Sequence, residues 1–131
     1  MPKKQNKDSN SLLLRLANES YCYLTTTGRV TGNPHEIEIW FGLKDNTIYL
    51  LSGNMDRSDW VKNLLKNPSV TVMIANQTFK ATARLVTDKQ EETSARNMVA
   101  DKYNERKLNG SLSNYARSAL VVGVYFVKKL S

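Results

Sequence analysis

Two arginines offer most of the chemistry this chain's side chains can bring to a ligand. Arg29 stands on a bend bounded by Gly28 and Gly32 in TTTGRVTGNP, and Arg57 lies in GNMDRSDW beside Ser58, where an apolar-periodic segment begins. Free amides at a helix start bind anions, and an adjacent guanidinium and hydroxyl add charged and neutral hydrogen bonds. Arg57 and Ser58 therefore read either as an anion anchor or as a solvated cation beside a helix cap. After the bend, HEIEIWF alternates. Glu36, Glu38 and Trp40 share one face; His35, Ile37, Ile39 and Phe41 share the other. Paired carboxylates on a strand ordinarily mark solvent, whereas an indole prefers partial burial. That face is open to three readings: solvated, pocket-lining or dimer contact. His35 reads as an edge residue before a catalyst, and Trp60 as core or interface.

Protein-borne catalysis has few means here. One histidine, one cysteine and no HExxH give a zinc or iron centre little support. A serine nucleophile would have only His35 as its base, and no GxSxG elbow is present. Cys22, in YCYL, reads as a buried strand thiol. No catalytic side chain is assigned, so demanding chemistry would have to come from a bound cofactor.

The elements that must position these residues follow from periodicity. SNSLLLRLANESY places Leu12, Leu13, Leu16 and Ala17 at helical spacing. YCYLTTT, HEIEIWFGL and TIYLLS read as three strands in an antiparallel meander. Trp60, Val61, Leu64 and Leu65 mark a short helix that Asn67-Pro68 stops. SVTVMIA and FKATARLVT are strands, Asp88 and Glu91 form a capping box opening a helix over 89–105, and ALVVGVYFVKKL is a last strand. Tyr103 and Tyr115 flank the late loop, with one helical turn expected in it. The expectation is mainly β with α (α+β): six mostly antiparallel strands in a small closed or split barrel with flanking helices. The Rossmann glycine spacing and the P-loop are both missing.

At 131 residues the chain is sized for one domain, taken as 11–131 behind a flexible basic tail at 1–10. Its 40% hydrophobic and 24% charged content is that of a globular protein. No apolar run reaches the roughly 20 residues of a membrane span. With no apolar signal core at the N-terminus, a reducing cytoplasm is expected. The net charge of +7 gathers partly in Lys3, Lys4 and Lys7, and in Lys128 and Lys129. No basic stripe interleaves with aromatics, so nucleic acid is a poor fit. A phosphorylated or carboxylated small molecule suits the charge better.

TTTGRVTGNPHEIEIWF followed by IYLLSGNMDRSDWVKNLLKNPSVTV resembles the deazaflavin-dependent nitroreductase family. This family belongs to the flavin/deazaflavin oxidoreductase group, related in fold to pyridoxamine 5′-phosphate oxidase. The likeness runs from Tyr21 to Ile74 and more weakly through Tyr103 to the last strand. It rests on TTTGR-x-x-G-x-P, the WF pair and W-x-x-N-L-x-x-NP-x-V at this separation. The resemblance implies a split β-barrel, a homodimer, and a cofactor that is either deazaflavin coenzyme F420 or FMN. Arg29 and His35 would face its phosphate or side chain. Glu38, Ile39 and Trp40 would lie along its ring, while Leu51, Ser52 and Gly53 would offer backbone to the pyrimidine edge. Trp60 would border the pocket from its helix.

Two departures stand out. Val30 and His35 occupy places where many deazaflavin-binding relatives carry basic residues, which leaves a compensating role to Arg57. Glu36 and Glu38 replace more neutral residues. The expected activity is hydride transfer from a reduced flavin or deazaflavin to a small quinone, nitro or enone acceptor. The alternatives are a non-catalytic flavin or other cofactor carrier and, less favoured, a basic nucleic-acid module.

Overall fold

Strand β1, Cys22–Thr27, turns alternate side chains inward: Cys22 and Leu24 are fully buried and Thr26 nearly so. The structure, a computed structural model, describes residues 11–130. The expected tail at 1–10 lies outside the described residues. β2, Pro34–Ile39, pairs antiparallel with β1, and β1 pairs antiparallel with β5, Ser69–Ile74. β6, Gln77–Leu85, follows β5 through a tight turn, where Ala75 and Asn76 take positive φ, and pairs with β7, Leu120–Lys129. β7 also pairs with β4, Thr47–Ser52, which pairs in turn with β3, Gly42–Lys44.

The result is a seven-stranded antiparallel sheet in the order β2-β1-β5-β6-β7-β4-β3. Its two edge strands, β2 and β3, are consecutive in the chain and separated only by Trp40 and Phe41. Three residue steps from Ile39 to Gly42 span at most about 11 Å. The sheet must therefore curl until its edges lie side by side, giving a curled half-barrel with a seam at Trp40-Phe41.

This corrects one expectation. HEIEIWFGL is not one strand but two, so the strand count is seven and not six. The two antiparallel pairings of the expected meander hold on either side of the break, β1 with β2 and β3 with β4, while β2 and β3 stand at opposite edges of the sheet. The physical reason sits at the break. Phe41 and Gly42 are both buried, so the exposed face that β2 presents does not continue through them. A Cβ on Gly42 would come 2.6 Å from the Met98 sulfur, so the glycine lets the chain turn closely beneath helix α3.

Helical residues 11–16 (α1) set Leu16 into the main core with Leu24, Phe41, Ile48, Leu50, Leu64 and Val72. Burying a side chain of this size contributes about 1.5–3 kcal/mol. Helix α2, Asp59–Lys66, adds Val61 and Leu64. Helix α3, Lys89–Tyr103, covers a second cluster in which Tyr49, Leu51 and Val121 meet Ala95 and Val99. The Asp88 carboxylate caps α3 by accepting from the Glu91 amide at 2.9 Å. Glu91 does not reciprocate; its carboxylate accepts instead from Tyr49 and from both terminal nitrogens of Arg84. The helical turn of the late segment is α4, Asn114–Ser118. Among the described residues no helix is long and apolar enough to cross a membrane.

Candidate functional site

The glycine bend is closed by its own backbone. Gly28 N–H donates to the Asn33 carbonyl at 2.7 Å, Gly32 N–H donates to the Gly28 carbonyl at 2.9 Å, and Gly32 sits at φ +77°. His35 folds back over the bend so closely that a Cβ on Gly28 would lie 2.9 Å from His35 Nε2. Arg29 is locked to α2. Its backbone N–H and Nη1 both donate to Asn63 Oδ1, at 3.2 and 2.8 Å, and its Nη2 donates to Asp59 Oδ1 at 3.1 Å. Asn63, only 1% exposed, completes the link by donating to Thr26 Oγ1 at 3.1 Å. Lys66 Nζ donates to the Arg29 carbonyl. Arg29, His35, Asp59 and Asn63, with the bend itself, line a cleft of about 220 Å³.

The second expected anchor is built differently. Between β4 and α2 the chain makes one 3-10 turn, Met55–Arg57. Ser58 precedes α2 but makes no side-chain cap. Its hydroxyl lies 3.1 Å from the buried Ser52 hydroxyl, which donates to the Met55 carbonyl at 2.7 Å. Arg57 is exposed and joins no ion pair among the described residues. The first turn of α2 thus touches both anchors, Ser58 reaching Ser52 and Asp59 reaching Arg29.

The third feature is the aromatic seam. Trp40 stacks on Tyr103 with centroids 4.4 Å apart and planes 4° from parallel, and Tyr115 stands at 81° to the indole with centroids 6.2 Å apart. The Tyr103 hydroxyl accepts from Phe41 N–H and faces the carbonyls of Phe41 and Ser20. Lys102 Nζ donates to the same Phe41 carbonyl and lies 3.6 Å above the Phe41 ring. Polar groups at the end of α3 therefore satisfy the backbone where both strands stop. Tyr115 donates to the Leu51 carbonyl at 3.3 Å, and its ring lies beneath Gly53.

Burial pushes the Tyr103 hydroxyl up to about 12 and raises that of Tyr115. At neutral pH both phenols donate hydrogen bonds and keep their protons. Burial likewise pushes the Cys22 thiol to about 12, leaving it protonated and a poor nucleophile. The Lys102 amine is brought down to about 8, chiefly by desolvation.

The sequence-predicted residues fall into this arrangement unevenly. Arg29 and His35 meet at one cleft. Ser52, Ser58 and Arg57 belong to the adjoining turn, and Gly53 joins Trp40 through Tyr115. Leu51 and Ser52 stand in register with Val121 and Leu120 of β7, the Leu51 carbonyl accepts from Tyr115, and Gly53 is exposed just past the strand. Glu38 lies on the exposed side of β2, opposite Tyr23, whose hydroxyl donates to it at 2.8 Å. Ile37, Ile39 and Trp60 are partly buried against the main core. Asn63 was not singled out by sequence reasoning, although it stands in the W-x-x-N-L motif. Tyr103 and Tyr115 had only their places beside the late loop to mark them.

These residues suit an anionic, ring-bearing cofactor in part. Arg29 brings a cation to the small cleft and Asp59, its ion-pair partner, a carboxylate; the cleft has room for a phosphate group and not for a whole flavin. A ring would have to lie beyond it, toward Gly53 and the rim of Trp40, one indole face being already covered by Tyr103.

Comparison with solved structures places the fold among split barrels. A candidate 5-nitroimidazole antibiotic resistance protein from Bacteroides thetaiotaomicron VPI-5482 is similar at 15% identity, over 91% of this chain and 80% of the other, with TM-score 0.73. A candidate pyridoxamine 5′-phosphate oxidase from Listeria innocua is similar at 16% identity, over 92% and 94%, with TM-score 0.71. A structure described as an F420-H2 dependent reductase is similar at 18% identity, over 80% and 93%, with TM-score 0.64. A search of curated proteins gives no significant match. The model of the F420H(2)-dependent quinone reductase family matches residues 3–111, and the chain belongs to that family.

Proposed function

We propose that this protein is a reductase that uses reduced coenzyme F420 to transfer a hydride to a small quinone, with nitro compounds and enones as further acceptors of the same electrophilic kind. Family membership supports the deazaflavin. The observation that carries the reading is the way α2 ties the Arg29 bend to the turn at Ser52–Ser58, beside the Trp40–Tyr115 seam. An anion anchor and an aromatic wall are thereby fixed on one rigid frame, as positioning a reactive ring requires.

In this reading Arg29 and His35 hold the phosphate end, with Arg57 and Ser58 contributing at the helix start. Gly53, Trp40 and the Glu38–Ile39 end of β2 border the ring, and Trp60 backs the pocket from α2. When bound, the cofactor supplies the hydride. The protein supplies orientation and partial exclusion of water. Tyr103 and Tyr115 stay protonated at neutral pH and act here by packing and hydrogen bonding, and the proton that completes quinone reduction is drawn from solvent. A homodimer, completing the open side of the ring site, and a cytoplasmic location belong to the same proposal.

Parallel fluorescence and absorbance titrations with F420 and FMN test it. Saturable binding of F420 in preference to FMN is expected. Tight FMN binding with none for F420 would replace the deazaflavin reading. Binding of reduced F420 without quinone turnover would make the protein a carrier.

A further inference from the structure

We propose that the cavity beside the start of β1 binds a small organic cation, a trimethylated or protonated amine, outside the Arg29 cleft. Tyr21, Tyr23, Met73 and Glu19, with the β5–β6 turn at its end, line about 250 Å³ there. Cys22 and Leu24 turn into the core, so Tyr23 between them projects from the opposite face of β1. Strand register sets Glu38, Tyr23 and Met73 in one row across β2, β1 and β5. The Tyr23 hydroxyl donates to Glu38 Oε1 at 2.8 Å, which fixes ring and carboxylate together. Glu36 acts on the same hydroxyl from the next row. Tyr21 stands just before the strand, 48% exposed.

Charge sets this place apart from the rest of the chain. The net charge is +7, yet Glu19, Glu36 and Glu38 gather around the two tyrosines, and none joins an ion pair among the described residues. Lys102, on which the Glu19 charge acts, gives its amine to the Phe41 carbonyl and lies over the Phe41 ring. A cation entering the cavity would therefore meet uncompensated negative charge, two aromatic faces and a polarizable thioether. An anion would meet three like charges. A neutral molecule would gain from the rings and leave the carboxylates unused. The pair Glu36 and Glu38, which the cofactor cleft does not employ, thereby has a role.

Amide NMR spectra of the full chain, titrated with choline and with its uncharged isostere dimethylbutanol, test the site. Choline should shift the Ser20, Tyr21, Ala75 and Asn76 amides saturably. The isostere should bind more weakly by roughly five- to thirty-fold, the scale of two exposed cation–π contacts. Tyr21→Ala should weaken choline by roughly two- to five-fold, whereas Tyr21→Phe, which keeps the ring, should match the wild type. Glu19→Gln should weaken choline at low ionic strength and hardly change it at molar salt. Both positions are exposed, so these variants keep the fold. Equal affinity for choline and the isostere, shifts confined to other parts of the chain, or unchanged affinity in Tyr21→Ala and Glu19→Gln alike would overturn the site. Neither probe is a deazaflavin, so that failure would leave the reductase reading standing.

Discussion

Trp40 lies flat on Tyr103, ring centroids 4.4 Å apart, at the point where the chain crosses from one edge of the sheet to the other. The same tyrosine bonds the Phe41 main chain. One side chain thus orients the indole and closes the seam. Tyr103→Phe keeps the stack and removes the hydroxyl, leaving Phe41 N–H without that partner. Urea unfolding should show a loss of about 1–3 kcal/mol, the cost of an unsatisfied buried group. An unchanged midpoint would mean water satisfies Phe41 as well as Tyr103 does.

Trp40→Ala should destabilise as well as weaken cofactor binding, because the indole packs on two tyrosines. A half-buried tryptophan should lose less than the 3–5 kcal/mol typical of a fully buried one, about 1–3 kcal/mol. The variant should remain folded by circular dichroism and bind the deazaflavin less tightly. Undiminished affinity in a folded variant would place the ring elsewhere.

Much of this was legible in sequence because it is local. Alternation marks Cys22–Thr27 and the β5 and β6 strands, and Asp88 announces its cap three residues before the amide it receives. The seam was not legible. HEIEIWFGL has a period that fits one strand, and only the burial of Phe41 and Gly42 against α3, some sixty residues away, divides it. Arg29 could be seen on a bend, but its fixation depends on Asn63, an ordinary polar residue on a helix until the fold brings it beneath Arg29. Tyr103 and Tyr115 meet Trp40 through long-range packing that no short spacing records.

Asn63→Ala would leave Thr26 and the Arg29 amide without their buried partner. A loss of about 1–3 kcal/mol is expected, together with a loss of F420 affinity larger than that for the same deazaflavin lacking its phosphate, since Arg29 would no longer be held toward the cleft. Stability within about 0.5 kcal/mol of the wild type, the range of ordinary surface changes, would contradict the role given to Asn63.

Cys22 should make the fold sensitive to alkali. Burial raises its thiol from 9.0 to about 12. The unfolded chain therefore loses this proton first. The stability contributed by the buried neutral thiol is complete below pH 9 and is lost as pH rises toward 12. The advantage of the wild type over Cys22→Ala, measured by denaturant unfolding, should shrink steadily above pH 9. A constant difference across that range would mean the thiol ionises as freely in the folded chain.

The central claim concerns turnover, and one measurement addresses it most directly: mixing the wild-type protein with reduced F420 and a small quinone, and following recovery of the oxidised deazaflavin absorbance. The account predicts catalysed, saturable oxidation that Arg29→Ala slows at subsaturating F420. Reduced F420 that binds and stays reduced in the presence of quinone, or a rate equal to that without protein, would contradict it.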